Sequence, residues 1–194
     1  MLNISTPKDG LLLNIVDEND NVIGEATRRE IHEKGLLHRE IHVWFVTPKG
    51  EIIFQHRAKD KDTYPDLLDA TVGGHVEMED SYEKTAIKEI EEETGIHADT
   101  KDLHFIKKFR RRSEDAATGM INNTIRAQYA YVFTGSVGDL RVEEGKALGF
   151  EVWPIEQLSN LSQEEKKKFI PLILEPDTLA MLREIKGWGI LQGS

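Results

Sequence analysis

Gly73-Gly74-His75-Val76-Glu77-Met78-Glu79-Asp80 runs into Ser81-Tyr82-Glu83-Lys84-Thr85-Ala86-Ile87-Lys88, and then into Glu89-Ile90-Glu91-Glu92-Glu93-Thr94-Gly95-Ile96. Ala86, Ile87 and Ile90 give this stretch an apolar side at helical spacing, Asp80 and Glu83 form an N-terminal cap pattern, and Thr94-Gly95 supplies a stop. The predicted helix carries Glu89, Glu92 and Glu93 at i, i+3 and i+4, so the three carboxylates project together. A solvated acidic helix face is the bland account of such a run. Like charges at this spacing repel, however, unless a cation fills the space between them. Oxygen-only ligation suits Mg²⁺ or Mn²⁺, and the paired glycines would let backbone amides approach an anionic ligand.

The spacing favours the cation account. Counted from Gly74, the stretch resembles the Nudix box: Gly, five residues, Glu, seven residues, Arg-Glu, an aliphatic, any residue, Glu-Glu, any residue, Gly, an aliphatic. Gly74, Glu89, Ile90, Glu92, Glu93, Gly95 and Ile96 match, while Asp80 stands for Glu and Lys88 for Arg. Lys is a flexible point charge where Arg offers a planar fork, so any brace at Lys88 is looser. The resemblance implies divalent metal on Glu89, Glu92 and Glu93, water activation by Glu92 or Glu93, and a supporting role for Gly74, Asp80 and Lys88. It also implies the Nudix fold, a mixed sheet sandwiched between helices, and a possible homodimer.

Outward from the box, Leu11 to Val16 and Val22-Ile23 flank Asp17-Glu18-Asn19-Asp20-Asn21 and predict an N-terminal hairpin. Thr27 and Glu30 form a capping box for a short helix that Gly35 ends. Ile41 to Thr47 and Glu51 to Gln55 form a second hairpin around Pro48-Lys49-Gly50. Ala58 to Asp69 is expected to be a loop, and Ala70 to Val72 a brief strand. Leu103 to Phe109, Ile125 to Phe133 and Gly149 to Trp153 follow as strands, with a polar loop from Arg112 to Asn123. After Pro154 the chain turns helical in pieces interrupted by Pro171 and Pro176. Strands with interspersed helices indicate an α+β class. The expected organisation is an arm over 1–35 packed on the core, a Nudix domain over 36–175 and a C-terminal helical tail over 176–194.

Composition narrows the chemistry. The 194 residues carry 25 Lys and Arg against 35 Asp and Glu, a formal charge of −10. Between Glu77 and Glu93 stand eight acidic and two basic residues, so more than half of that charge sits at the box. An acidic balance disfavours nucleic acid polymers as partners, because that affinity comes largely from Lys and Arg. A small phosphorylated substrate is expected instead. No cysteine occurs, which removes disulfides, thiolate metal sites and cysteine nucleophiles. Without a signal-like start or a long apolar run, the expectation is a cytoplasmic protein with no membrane partner.

The arm over 1–35 resembles that of a subgroup similar to type I isopentenyl-diphosphate isomerase, which offers a rival activity. There a cysteine precedes a Gly-His pair and a later-strand glutamate completes the proton-transfer apparatus. Here Gly73 precedes Gly74-His75, and the later strand reads Ile125-Arg126-Ala127-Gln128-Tyr129. Neither an amide nor a guanidinium replaces a carboxyl acid/base. His38 and His75 resemble two isomerase metal ligands, although a lone histidine is more often structural, and His32 is weaker still.

The expected reaction is therefore metal-assisted hydrolysis of a diphosphate linkage in a nucleoside diphosphate derivative or related compound. The alternatives are a nucleotide-binding protein without catalysis and, least favoured, the isomerase. Arg57, His75 and Arg110 are candidate substrate contacts. Arg110 lies in the basic run Lys107, Lys108, Arg110, Arg111 and Arg112, which otherwise reads as a solvated strand edge. By analogy with relatives, Glu143 and Glu144 are secondary candidates for a catalytic loop glutamate, beside His38.

Overall fold

The computed structural model describes residues 10–61, 64–115, 118–143 and 145–192. Strands β1 (Leu12–Val16) and β2 (Val22–Thr27) form the predicted hairpin. Asp17 closes its turn by accepting the backbone N–H groups of Asn19 and Asn21 at 2.8 and 2.9 Å. Helix α1 (Arg28–Lys34) starts in the Thr27–Glu30 capping box and stops at Gly35, whose φ of 63° is left-handed. Strands β3 (His38–Val46) and β4 (Glu51–Arg57) form the second hairpin.

Part of the expected loop over 58–69 is instead strand β5 (Leu68–Asp69), which pairs with Gln55 and His56. Two residues are too few to show periodicity, and it is the pairing with β4 that makes them a strand, with Leu68 buried. Next come β6 (Val72–His75) and α2 (Tyr82–Thr94). The residue capping α2 is Ser81, whose hydroxyl accepts the Lys84 N–H at 3.1 Å; Asp80 lies outside the helix and pairs with Lys84. Strands β7 (Leu103–Glu114) and β8 (Ile121–Val132) extend far into the expected polar loop over 112–123. Arg112, Ser113, Asn122 and Asn123 have loop-like composition but pair across the ladder, Arg112 with Asn123 and Ser113 with Asn122. Strand β9 (Ala147–Pro154), α3 (Gln163–Lys166) and α4 (Pro176–Gln192) complete the chain. Pro176 opens α4 rather than interrupting a helix, since the first helical position needs no N–H donor.

Strand β3 organises the mixed sheet. Along one edge it meets β1 at His38, β6 over Glu40 to Val43 and β4 at Phe45 and Val46. Along the other it runs parallel to β8 from the His38–Thr124 pair to the Val46–Val132 pair. Alternation sends Ile41, Val43 and Phe45 to one face, against Ala86 and Ile90 of α2. Trp44 and Val46 go to the other, against Ile173 and against Met181, Leu182 and Ile185 of α4. The sheet is thus held between helices, as the α+β reading expects. Each fully buried Leu or Ile in these layers contributes about 1.5–3 kcal/mol. On the α4 side the apolar row gives way to His38, Glu40 and His42, a run of polar residues turned inward. Among the described residues, no helix is long and apolar enough to cross a membrane.

Candidate active site

The β6–α2 connection delivers two of the three box carboxylates to one point. Glu93 is 3% exposed, and its Oε2 accepts the Gln55 side-chain amide at 3.0 Å and the Gly73 N–H at 3.3 Å. Glu89 lies one turn earlier, against Gly74. A Cβ on Gly74 would stand 2.5 Å from the Glu89 carboxyl carbon, so the glycine makes room for that carboxylate. Lys146 enters from the segment before β9. Its Nζ lies 3.3 Å from Glu93, 3.4 Å from Glu89 and 2.7 Å from Glu143.

Burial pushes the Glu93 carboxyl up to about 7, against the opposing pull of Lys146 and its hydrogen bonds. Burial raises Glu89 as well. Desolvation would lower Lys146, but Glu93 and Glu89 hold it above its ordinary value. Glu89, Glu93 and Glu143 thus surround the Lys146 ammonium with carboxylate oxygens, the donor type that hard divalent ions take. Glu92 is exposed at the rim of this group. Helical spacing puts all three glutamates on one side, and burial then separates Glu92 from the other two.

The NUDIX domain profile matches residues 36–173. The chain belongs to the Nudix family. It is 39% identical over 94 residues to an uncharacterized Nudix hydrolase of Clostridium acetobutylicum, covering 47% of this chain and 45% of that one. With an uncharacterized Nudix hydrolase of Streptomyces coelicolor it shares 42% over 84 residues, 43% of this chain and 46% of the other. The chain thus spans a little under half the length of these curated relatives. DR0079 from Deinococcus radiodurans superimposes with a TM-score of 0.65 at 19% identity, over 89% of this chain and 98% of that one. The NUDIX domain of Shewanella oneidensis NrtR, solved with ADP ribose, gives 0.53 at 13% identity, over 77% and 86%. At these identities the two structures establish a shared fold.

The remaining candidates of the Nudix box and its surroundings take varied positions. Lys88 pairs with Glu77 at 2.8 Å instead of bracing the central carboxylates. Arg57 is held by Asp69 at 2.9 Å and the Tyr64 carbonyl at 3.1 Å, a tie between β4 and the following loop. Arg110 pairs with Glu18 of the N-terminal hairpin, as Lys108 does with Asp20 at 2.6 Å, and Arg111 grips Glu175 with two bonds of 2.7 Å. Much of the basic run thus fastens the arm and the segment before α4 to β7. Glu144 lies outside the described residues.

His38 and His75 meet His32, the weakest of the three on sequence, at ring-centroid separations of 5.1–5.2 Å. His32 Nδ1 faces the Ile121 carbonyl at 3.2 Å and His38 Nδ1 the Leu36 carbonyl at 2.9 Å. A carbonyl only accepts, so each Nδ1 carries the proton and each Nε2 is left with its lone pair. His32 Nε2 stands 3.1 Å from His75 Nε2, and one ligand atom from each of the three rings lies within 4.8 Å of the others. Burial lowers His38 to about 4 and holds His75 well below its ordinary value, so these two imidazoles are neutral at pH 7. Such a trio could hold a nitrogen-seeking metal ion. Sequence reasoning ranks His32 last because its meeting with His75 depends on the docking of α1. It misses Lys146 and Gln55 because neither belongs to a motif.

Proposed function

We propose that this protein is a divalent-metal-dependent hydrolase of a diphosphate linkage in a nucleoside diphosphate derivative. The observation that carries this is the convergence of Glu89, Glu93 and Glu143 on one cation position beside Gly73 and Gly74. Mg²⁺ or Mn²⁺ at that position supplies charge neutralisation and a more acidic water. Glu93 keeps Oε1 toward the cation while Gln55 and Gly73 fix Oε2, which orients the carboxylate. Glu92, exposed beside them, is available to take the proton of the attacking water as the phosphorus–oxygen bond to the leaving phosphate breaks. The ADP ribose bound by the Shewanella relative is a compound of the proposed substrate class. The same proposal includes a cytoplasmic setting and a homodimer, the latter by family resemblance.

Nucleotide binding without catalysis is the second reading, and the intact set of box carboxylates weighs against it. The isomerase has least support, since Gly73 stands at the cysteine position and Gln128 and Arg126 near that of the acid. Incubation with Mg²⁺ or Mn²⁺ and a panel of nucleoside diphosphate derivatives tests the proposal, with Glu93→Gln alongside. Wild-type turnover reduced by about 100-fold or more in the variant is expected. Equal turnover would remove Glu93 from the essential set, and no turnover by either would favour binding. Conversion of isopentenyl to dimethylallyl diphosphate would restore the isomerase.

A further inference from the structure

Three imidazoles meet at a point formed by three separate elements. His32 lies in the last turn of α1, His38 opens β3 and His75 closes β6. The His32 and His75 Nε2 atoms are 3.1 Å apart, and two nitrogens bound to one tetrahedral Zn²⁺ at about 2.0–2.1 Å stand about 3.3 Å from each other. The rings already hold the spacing that a shared ion sets. His38 is fully buried, yet its Nε2 has no hydrogen-bond partner, which is rare for a buried polar atom. Its Nδ1 donates to the Leu36 carbonyl, so the unmet group is a lone pair. His32 Nδ1 is fixed in the same way by the Ile121 carbonyl, and a ring held through one nitrogen with the other aimed inward is the usual posture of a metal-binding histidine.

A hydrogen bond from His75 to His32 would account for the 3.1 Å approach by itself. It leaves the His38 lone pair unserved. It also leaves Thr124 Oγ1, beside His38 in the β3–β8 register, and Asn122 Oδ1, two residues earlier, buried without partners. Both oxygens are acceptors of the kind that a metal-bound water serves. The donor set selects the ion, because three nitrogens without a carboxylate suit Zn²⁺, Co²⁺ or Ni²⁺ and not Mg²⁺ or Ca²⁺. Glu40, opposite His75 in the β3–β6 ladder, is already gripped by Arg126 at 2.9 and 2.6 Å.

We infer that His32, His38 and His75 form a nitrogen-ligated transition-metal site, of Zn²⁺ chemistry, that clips α1 to β3 and β6. The helix needs such a clip: it has seven residues, too few to be stable alone, and buries only Ile31. The clip also steadies the end of β6, where Gly74, the residue before His75, makes room for Glu89. This site differs from the carboxylate group in its residues and in the ions it takes, and it stands whether or not the proposed hydrolysis does.

The test uses the untagged full chain stripped of metal by chelation. One equivalent of Zn²⁺ moves the ring-nitrogen signals of His32, His38 and His75 in ¹H–¹⁵N spectra and slows amide exchange over α1, whereas Mg²⁺ does neither. Co²⁺ gives the intense visible absorption of a low-coordinate site. His32→Gln, at a partly exposed position, weakens Zn²⁺ binding by about 100-fold or more, no less than loss of a group that only orients a ligand, while Glu93→Gln leaves it unchanged. The site is overturned if Zn²⁺ leaves those three rings unmoved, a result that needs no variant, or if Glu93→Gln abolishes binding and His32→Gln does not; the 3.1 Å contact is then a plain hydrogen bond. Shifted rings with unchanged exchange over α1 would overturn the clip.

Discussion

The Lys146 ammonium lies 3.3 Å from Glu93 and 3.4 Å from Glu89, in the space that a divalent ion between those carboxylates would claim. The protein thus carries an internal cation where the proposed chemistry calls for an external one, and the two compete.

Lys146→Met removes the competitor. Mn²⁺ affinity, measured by titration calorimetry above pH 8 to keep the carboxylates ionised, should tighten by about tenfold, since the displacement cost and the cation–cation repulsion both vanish. Thermal unfolding should show the opposite sign without metal, because Glu93 is left buried and unpaired. Saturating Mg²⁺ should abolish that loss. An unchanged Mn²⁺ affinity would show that Lys146 does not occupy the ion's place.

Buried histidines set the acid limit of stability. His38 and His42 are each lowered to about 4 by burial, from an ordinary 6.5. Between those values the unfolded chain binds more protons, so stability is complete above about pH 6.5 and is lost as pH falls toward 4. The loss at pH 5 is about 2 kcal/mol per histidine. Glu93 acts oppositely, because its native value of about 7 exceeds the ordinary 4.5 and favours the metal-free fold as pH falls through that window. Urea unfolding at pH 5 and pH 7.5 should therefore show an acid loss that steepens in Glu93→Gln. A variant curve parallel to wild type would refute the assignment to Glu93.

Gly74→Ala probes the fit of Glu89 against the loop. With a Cβ 2.5 Å from the Glu89 carboxyl carbon, the carboxylate must move, at a cost of about 1–3 kcal/mol if the helix resists. Mn²⁺ binding should weaken by about tenfold. Gly24→Ala, whose Cβ would meet only Ile15 at 3.9 Å, should leave it unchanged. Equal behaviour of the two variants would dissociate Gly74 from the site.

Features written in a few consecutive residues were legible in the sequence. The Thr27–Glu30 cap, the Gly35 and Gly95 stops, both hairpins and the acidic face of α2 depend on neighbours along the chain. The cap of α2 was misplaced by one residue because Asp80 and Ser81 both have capping side chains, and only the backbone decides between them. The length of β7 and β8 was hidden because Asn122, Asn123 and Ser113 draw their strand character from partners across the ladder. Glu93 and Glu92 are equivalent by spacing and differ only once β4 supplies Gln55 and β6 supplies Gly73. The clusters around Lys146 and His32 exist only through tertiary pairing.

The parallel pairing of β3 with β8 also bears on how the molecule is made. Glu40 and Arg126 join strands 86 residues apart in sequence, and closing so long a loop is slow compared with forming the β3–β4 hairpin. During synthesis β3 has one edge bare, and Glu40 lacks its Arg126 partner, until β8 leaves the ribosome. Folding of this chain is therefore gated by its second half, and a fragment ending before residue 121 lacks the strand that completes its own centre.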